Sequence, residues 1–222
     1  MKDLHNALLL KQLYQLKQLG YRYTDITPSQ YKASSLELPS SMEELEKQAH
    51  NCHLCELSKS RTHVVFGEGN EDAEILFVGE GPGATEDSTG RPFVGRAGEV
   101  LTKMIENVLL IPRSEVYIAN IVKCRPPSNR VPTPTEAHTC MPYLLKQIEY
   151  IQPKLVVTLG ATAYHYLTGD ESRITQIRGT IQKRDGYTVI PTFHPSYLLR
   201  NPSAKKEAFA DMKLIKSLME NA

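Results

Sequence analysis

The chain has 222 residues, 41% of them apolar and 23% charged, with a formal net charge of +1. That is enough chain for one sizeable α/β domain with an appendage, and the balance excludes a wholly disordered polypeptide. No apolar run is long enough to span a membrane. The first twenty residues also lack a signal-peptide apolar core and a small-residue cleavage site. The expected location is the cytoplasm.

In chain order, Leu4, Leu8, Leu9, Leu13 and Leu16 recur at helical spacing and predict an amphipathic helix over residues 4–19. Residues 21–41 then turn polar, with two prolines, and read as a linker. The domains expected are an N-terminal helix and linker over 1–42 and an α/β domain over 43–222. Ser41 and Glu44 have capping-box spacing and predict a helix to about Ala49. Apolar runs at 74–79, 116–123, 154–160 and 188–193 predict four strands. Between them lie helices at 97–109, at 161–167 and from Thr133-Pro134-Thr135-Glu136 to about Ile151, with a closing helix over 204–220. Strands that are continuously apolar and alternate with helices imply a parallel sheet covered on both faces. The predicted fold class is therefore α/β, a three-layer αβα with a four-stranded parallel sheet and an N-terminal helical extension.

In such folds ligands bind beyond the carboxyl ends of the strands, which directs attention to three segments. Gly79-Glu80-Gly81-Pro82-Gly83 follows the first strand. It is GxGxG rather than GxGxxG, and Pro82 removes an amide that a phosphate would want, so a dinucleotide site fails on detail. The turn instead places Glu80 at a strand tip. Asn120 interrupts the apolar run Tyr117–Val122. A buried amide needs partners, and one facing a pocket reads a planar amide edge at two points. His194 opens His194-Pro195-Ser196-Tyr197-Leu198-Leu199 after the last strand and suits a donor to developing negative charge. Phe93, in the glycine-rich stretch 90–95, offers a flat stacking face. For Glu80, Phe93 and His194 the plain alternatives are a solvated acid, a core aromatic and a capping histidine.

Cys52 and Cys55 form one CxxC pair, and Cys124 and Cys140 stand far beyond it. In a reducing compartment four thiols favour metal ligation over disulfides. Four thiolates suit zinc or a 4Fe–4S cluster equally, and spacing does not decide between them. Charge is uneven as well. Between Arg173 and Lys216 nine Lys/Arg face three acids (Asp185, Glu207, Asp211), which fits a polyanion partner or a solvated helix face.

Taken in order, GEGPG at 79–83, TGRPFVGRAG at 89–98, NIVKCRPP at 120–127, the Cys140 helix and HPSYLL at 194–199 resemble the uracil-DNA glycosylase superfamily, and within it the iron–sulfur, family-four type. The resemblance covers about Leu45 to Leu218. It implies hydrolysis of the bond between uracil and deoxyribose in DNA, single- or double-stranded, as a base excision repair step. It also implies a 4Fe–4S cluster on Cys52, Cys55, Cys124 and Cys140. By the same resemblance Glu80, Asn120 and His194 are catalytic, and Gly81, Pro82, Gly83, Glu86 and Phe93 complete the base site. Phe93 stacks on uracil, Asn120 binds its polar edge, His194 donates to O2 and Glu86 blocks the 5-methyl of thymine. Arg125, Arg130, Ser196, Lys205 and Lys206 face DNA, and Leu198 wedges into the duplex. Gly81 stands where the best-known branch has a water-positioning aspartate; Glu80 is the candidate in its place, and the alternative is a dissociative path that needs little base assistance, its cation stabilised by the DNA phosphates. No histidine-bearing insertion follows the Asn120 strand, so ordinary turnover is expected. Three alternatives are a glycosylase of broader deaminated-base range (hypoxanthine or xanthine), a non-catalytic iron–sulfur DNA-binding protein and an electron carrier. The N-terminal helix is a candidate dock for a repair or replication partner.

Overall fold

The computed structural model describes residues 39–220. The expected helix over 4–19 and the linker after it lie outside these residues. No helix among the described residues is long and apolar enough to cross a membrane.

Helix α1 (Met42–His50) begins at Ser41, whose hydroxyl accepts from the Glu44 backbone N–H. The Glu44 carboxylate reaches the Ser40 backbone N–H instead of closing the reciprocal bond on Ser41. Strand β1 (Glu68–Gly69) is followed by β2 (Ile75–Gly79), every residue of which is buried. Helix α2 (Ala84–Thr89) and helix α3 (Arg96–Met104) follow. The last turns of the predicted 97–109 helix are a π-helical stretch, Ile105–Leu109, closed by Leu110 in the left-handed region. Strand β3 (Tyr117–Asn120) leads to α4 (Pro134–Ile151), where Thr133 and Glu136 form the predicted capping box around a first-turn proline. Strand β4 (Leu155–Leu159), α5 (Ala161–Thr168), α6 (Ile174–Ile177), β5 (Gln182–Arg184) and β6 (Tyr187–Thr192) come next. Helices α7 (Pro195–Arg200) and α8 (Lys205–Glu220) complete the domain.

The strand order is β1-β3-β2-β4-β6-β5. The pairs β3–β2, β2–β4 and β4–β6 are parallel, as expected. The four-stranded sheet is nonetheless the centre of a mixed six-stranded one, because β1 and β5 add antiparallel edges of two and three residues. Segments that short carry no apolar pattern to read. Side chains along β2 alternate between two cores. Leu76 and Val78 join Leu45, Ala119, Leu144 and Val156 on one face. Ile75 and Phe77 join Leu101, Ile118, Val157 and Met212 on the other. A sheet buried on both faces by helices is the α/β layering anticipated. From β2 the chain crosses to β3 on one side and β4 on the other, so a crevice opens at the carboxyl end of β2.

Candidate active site

That crevice is a cleft of about 580 Å³ lined by Glu80, Gly81, Pro82, Gly83, Glu86, Phe93, Asn120 and His194, all the residues expected at a base site. Glu80, Asn120 and His194 reach it from strand ends or just beyond them, Glu86 from α2, and Phe93 from the loop between α2 and α3.

Asn120 is the last residue of β3 and only 1% exposed. Neither its Nδ2 nor its Oδ1 has a hydrogen-bond partner. An unpaired buried amide is costly, and this one lies on the wall of the cleft. The missing side chain of Gly79 makes room for it. A Cβ on Gly79 would stand 2.3 Å from Asn120 Oδ1 and 2.6 Å from Phe93 Cζ. Phe93 is itself held in the left-handed region (φ 51). Its carbonyl packs on α3 where a Cβ on Gly98 would stand 1.8 Å away, and Arg113 Nη2 donates to the neighbouring Pro92 carbonyl at 2.7 Å.

His194 caps α7 and lies beside Phe93, with ring centroids 5.7 Å apart. The Ser196 backbone N–H donates to His194 Nδ1 (3.1 Å), and the Ser196 hydroxyl lies 2.8 Å from the same nitrogen. Nδ1 is therefore an acceptor, which assigns the proton to Nε2. Burial, then the charge of Arg200, push the pKa of His194 down to about 4, against a weaker opposite pull from Glu86. The ring is neutral at pH 7 and still a donor. Gly160, after β4, lets the histidine approach, since a Cβ there would meet His194 Cβ at 3.2 Å.

Glu86 is committed to the backbone. Its carboxylate accepts from the N–H groups of Gly83 (3.2 Å), Val94 (3.0 Å) and Gly95 (2.8 Å). It lines the cleft as a fixed wall that ties the 79–83 turn to the loop bearing Phe93. Glu80 is half-buried and also lines the cleft.

On the rim the structure rearranges several expected roles. Leu198 is 1% exposed and packs in the core under α7, so it cannot be the wedge in this conformation. Leu199 is the exposed leucine, at 37%. Pro195 starts a helix here, and the turn of that helix points residue 198 inward. Ser196 spends both polar groups on His194. Arg130 is paired with Glu136 at 2.7 and 2.8 Å, and Arg125 Nε donates to Asn129 Oδ1 at 2.8 Å. Lys205 and Lys206 are exposed at the start of α8. Arg200 and Val131, which the sequence did not single out, also line the cleft.

The four cysteines meet. Cys52, Cys55, Cys124 and Cys140 line one small cavity with Arg61, Lys123 and Tyr143. Among the described residues no three Cys, His or acidic side chains are placed to hold a single metal ion. Donors already point at the sulfurs. Arg61 Nη1 approaches Cys124 Sγ, and the Lys123 backbone N–H approaches Cys140 Sγ, both at 3.3 Å. Arg61 also binds the Cys52 carbonyl at 2.7 Å, joining the CxxC segment to Cys124. As free thiols Cys55, Cys124 and Cys140 are held protonated. Burial raises the pKa of Cys55 and Cys124, and pushes that of Cys140 up to about 12. The donor set and its setting fit a four-thiolate group. Lys123 and Gln147, both fully buried, complete the surroundings and gave no sequence signal beyond a polar residue at the end of an apolar run.

An α/β domain with a cleft at its strand ends, walled by an unpaired amide, a stacking aromatic and a neutral histidine, is the architecture of a base-excising enzyme. The model of the uracil DNA glycosylase superfamily matches residues 66–213. A type-4 uracil-DNA glycosylase of Thermotoga maritima is 50% identical over 183 residues, covering 81% of this chain and 95% of that protein. Those of Sulfurisphaera tokodaii and Saccharolobus solfataricus are 45% and 41% identical, over 80% and 78% of this chain and 84% of each relative. The chain belongs to the uracil-DNA glycosylase superfamily, in its type-4 family.

Proposed function

We propose that the protein excises uracil from DNA by hydrolysing its bond to deoxyribose, leaving free uracil and an abasic site. The observation that carries this reading is the buried, unpartnered amide of Asn120 on the wall of the cleft at the strand ends. A flipped uracil offers N3–H and O4 to that amide, and Phe93 supplies the stacking face. As the bond breaks, negative charge develops on the ring. His194 donates from Nε2 to O2 without first having to lose a proton, because burial keeps it neutral. Glu80, at the cleft beside the turn, orients the attacking water. Glu86 keeps the two loops in register and forms part of the wall that a 5-methyl group meets.

Arg125, Arg200, Lys205 and Lys206 face the phosphates, and Leu199 takes the wedge position. The four cysteines would hold a 4Fe–4S cluster, whose contribution is to cross-link the CxxC segment, the end of β3 and α4. The reaction places the protein in repair, at work on DNA in the cytoplasm.

The test is incubation with an oligonucleotide carrying one deoxyuridine, then alkali, with thymine and inosine substrates in parallel. Strand cleavage at uracil alone is expected. Cleavage at inosine as well moves the protein to broader base specificity, and no cleavage by iron-loaded protein refutes the enzyme reading.

A further inference from the structure

Lys123 is a buried lysine that the proposed reaction does not use, yet it stands between the two sites. Its backbone N–H donates to Cys140 Sγ at 3.3 Å, and the residue lines the cysteine cavity. Its Nζ turns back toward the base cleft and donates to the Asn120 carbonyl at 3.0 Å. The same Nζ donates to Gln147 Oε1 at 2.6 Å. Gln147 lies seven residues after Cys140 on α4, two turns along the same face. Gln147 Nε2 in turn donates to the Phe66 carbonyl at 3.0 Å and to Tyr117 Oη at 3.3 Å. Tyr117 and Asn120 are the first and last residues of β3. Lys123 and Gln147 thus grip both ends of the strand that presents the amide.

This grip matters because the Asn120 side chain has no hydrogen bond of its own to fix it. Its direction is set by its main chain and by contact with Gly79 and Phe93. A bound thiolate cluster is anionic, and a buried ammonium against it is favoured where an unpaired one is not.

We propose that Lys123 is a positioning residue that couples the four-cysteine site to Asn120, countering the charge of the bound cluster and holding the amide for uracil. The inference rests on the cluster and uracil readings above.

The test uses full-length, anaerobically purified wild type, K123M and K123R. Two quantities are read: iron retained during incubation with a chelator, and calorimetric affinity for free uracil beside affinity for uracil-free DNA. The wild type is the control for the parent readings. If it carries no iron or binds no uracil, those readings fail, and with them the premise of the coupling. With a loaded, uracil-binding wild type, K123M is expected to lose iron several-fold faster and to bind uracil about tenfold more weakly. Its affinity for uracil-free DNA should stay within about twofold, a split that general destabilisation does not produce. K123R keeps the charge but changes its reach, and is expected to retain iron while binding uracil more weakly. A folded K123M with either iron retention or uracil affinity unchanged overturns the proposal. If K123M does not fold, K123R decides, and unchanged uracil affinity in it overturns the proposal.

Discussion

The amide of Asn120 is held in readiness at the expense of stability. A buried polar group without a partner costs about 1–3 kcal/mol, and both ends of this amide lack one. Replacing it with leucine, similar in size and apolar, should raise the unfolding free energy by about 1–2 kcal/mol while abolishing uracil binding. Denaturant titration and calorimetry read the two effects separately. His194 gives a different signature. Removing its donor in H194A should lower the single-turnover rate about 10²–10³-fold, with DNA affinity little changed. Its native pKa, about 4, lies below the ordinary 6.5. The unfolded chain therefore takes up a proton across this window before the native protein does, so stability contributed by the neutral ring is present above pH 6.5 and is lost as pH falls toward 4. That part of the pH dependence should be missing in H194A. Of these residues, Asn120 and His194 were readable from sequence, since a polar residue ending an apolar run and a histidine after a strand are local signals. The neutral state of His194 and its tautomer were not, because the first depends on burial of the ring and the second on how α7 turns Ser196 back onto Nδ1.

Two carboxylates organise the elements around the cleft. Glu86 closes the amino end of α2 and also collects two amides from the Phe93 loop. E86A should cost at least about 2 kcal/mol and weaken uracil binding, whereas a substitution confined to the helix cap would spare the pocket. Glu136 caps α4 and pairs with Arg130, whose hydrogen bonds hold the carboxyl down to about 2. That stability is present above pH 4.5 and is lost as pH falls through about 2. Arg130 is 42% exposed on its side chain, so solvent screens part of the pairing, and E136Q should cost about 1–2 kcal/mol at pH 7 and nothing at the acid end. Element boundaries show where sequence reading stops. The apolar runs located β2, β4 and β6, and the Thr133–Glu136 box located α4. The short helices α2, α6 and α7 were missed because they are too short to show a period. The missed α7 explains the leucine error, since a loop reading leaves residue 198 at the tip and a helix starting at Pro195 turns it inward. Glu86 lines the cleft as expected, but its hold on the Phe93 loop was not readable, because those partners lie up to nine residues ahead in a loop with no signal for them.

At the scale of the whole molecule, near-neutral composition hides an asymmetry. The excess of Lys and Arg between 173 and 216 includes Arg200 at the cleft and Lys205 and Lys206 beyond it. If these two lysines meet phosphates, the K205A/K206A double variant should bind DNA more weakly regardless of sequence, with the slope of log affinity against log salt reduced by about 2. Uracil turnover at saturating DNA should be nearly unchanged. The sheet has a consequence of another kind. Its outermost strands are two and three residues long, and they carry Glu68 on one side and Lys183 and Arg184 on the other. Unpaired strand edges are templates for assembly between molecules, and short, charged edges deny that template. A core of fully buried parallel strands would be prone to aggregation if its flanks were bare, so these two small edges guard the colloidal behaviour of the protein at high concentration.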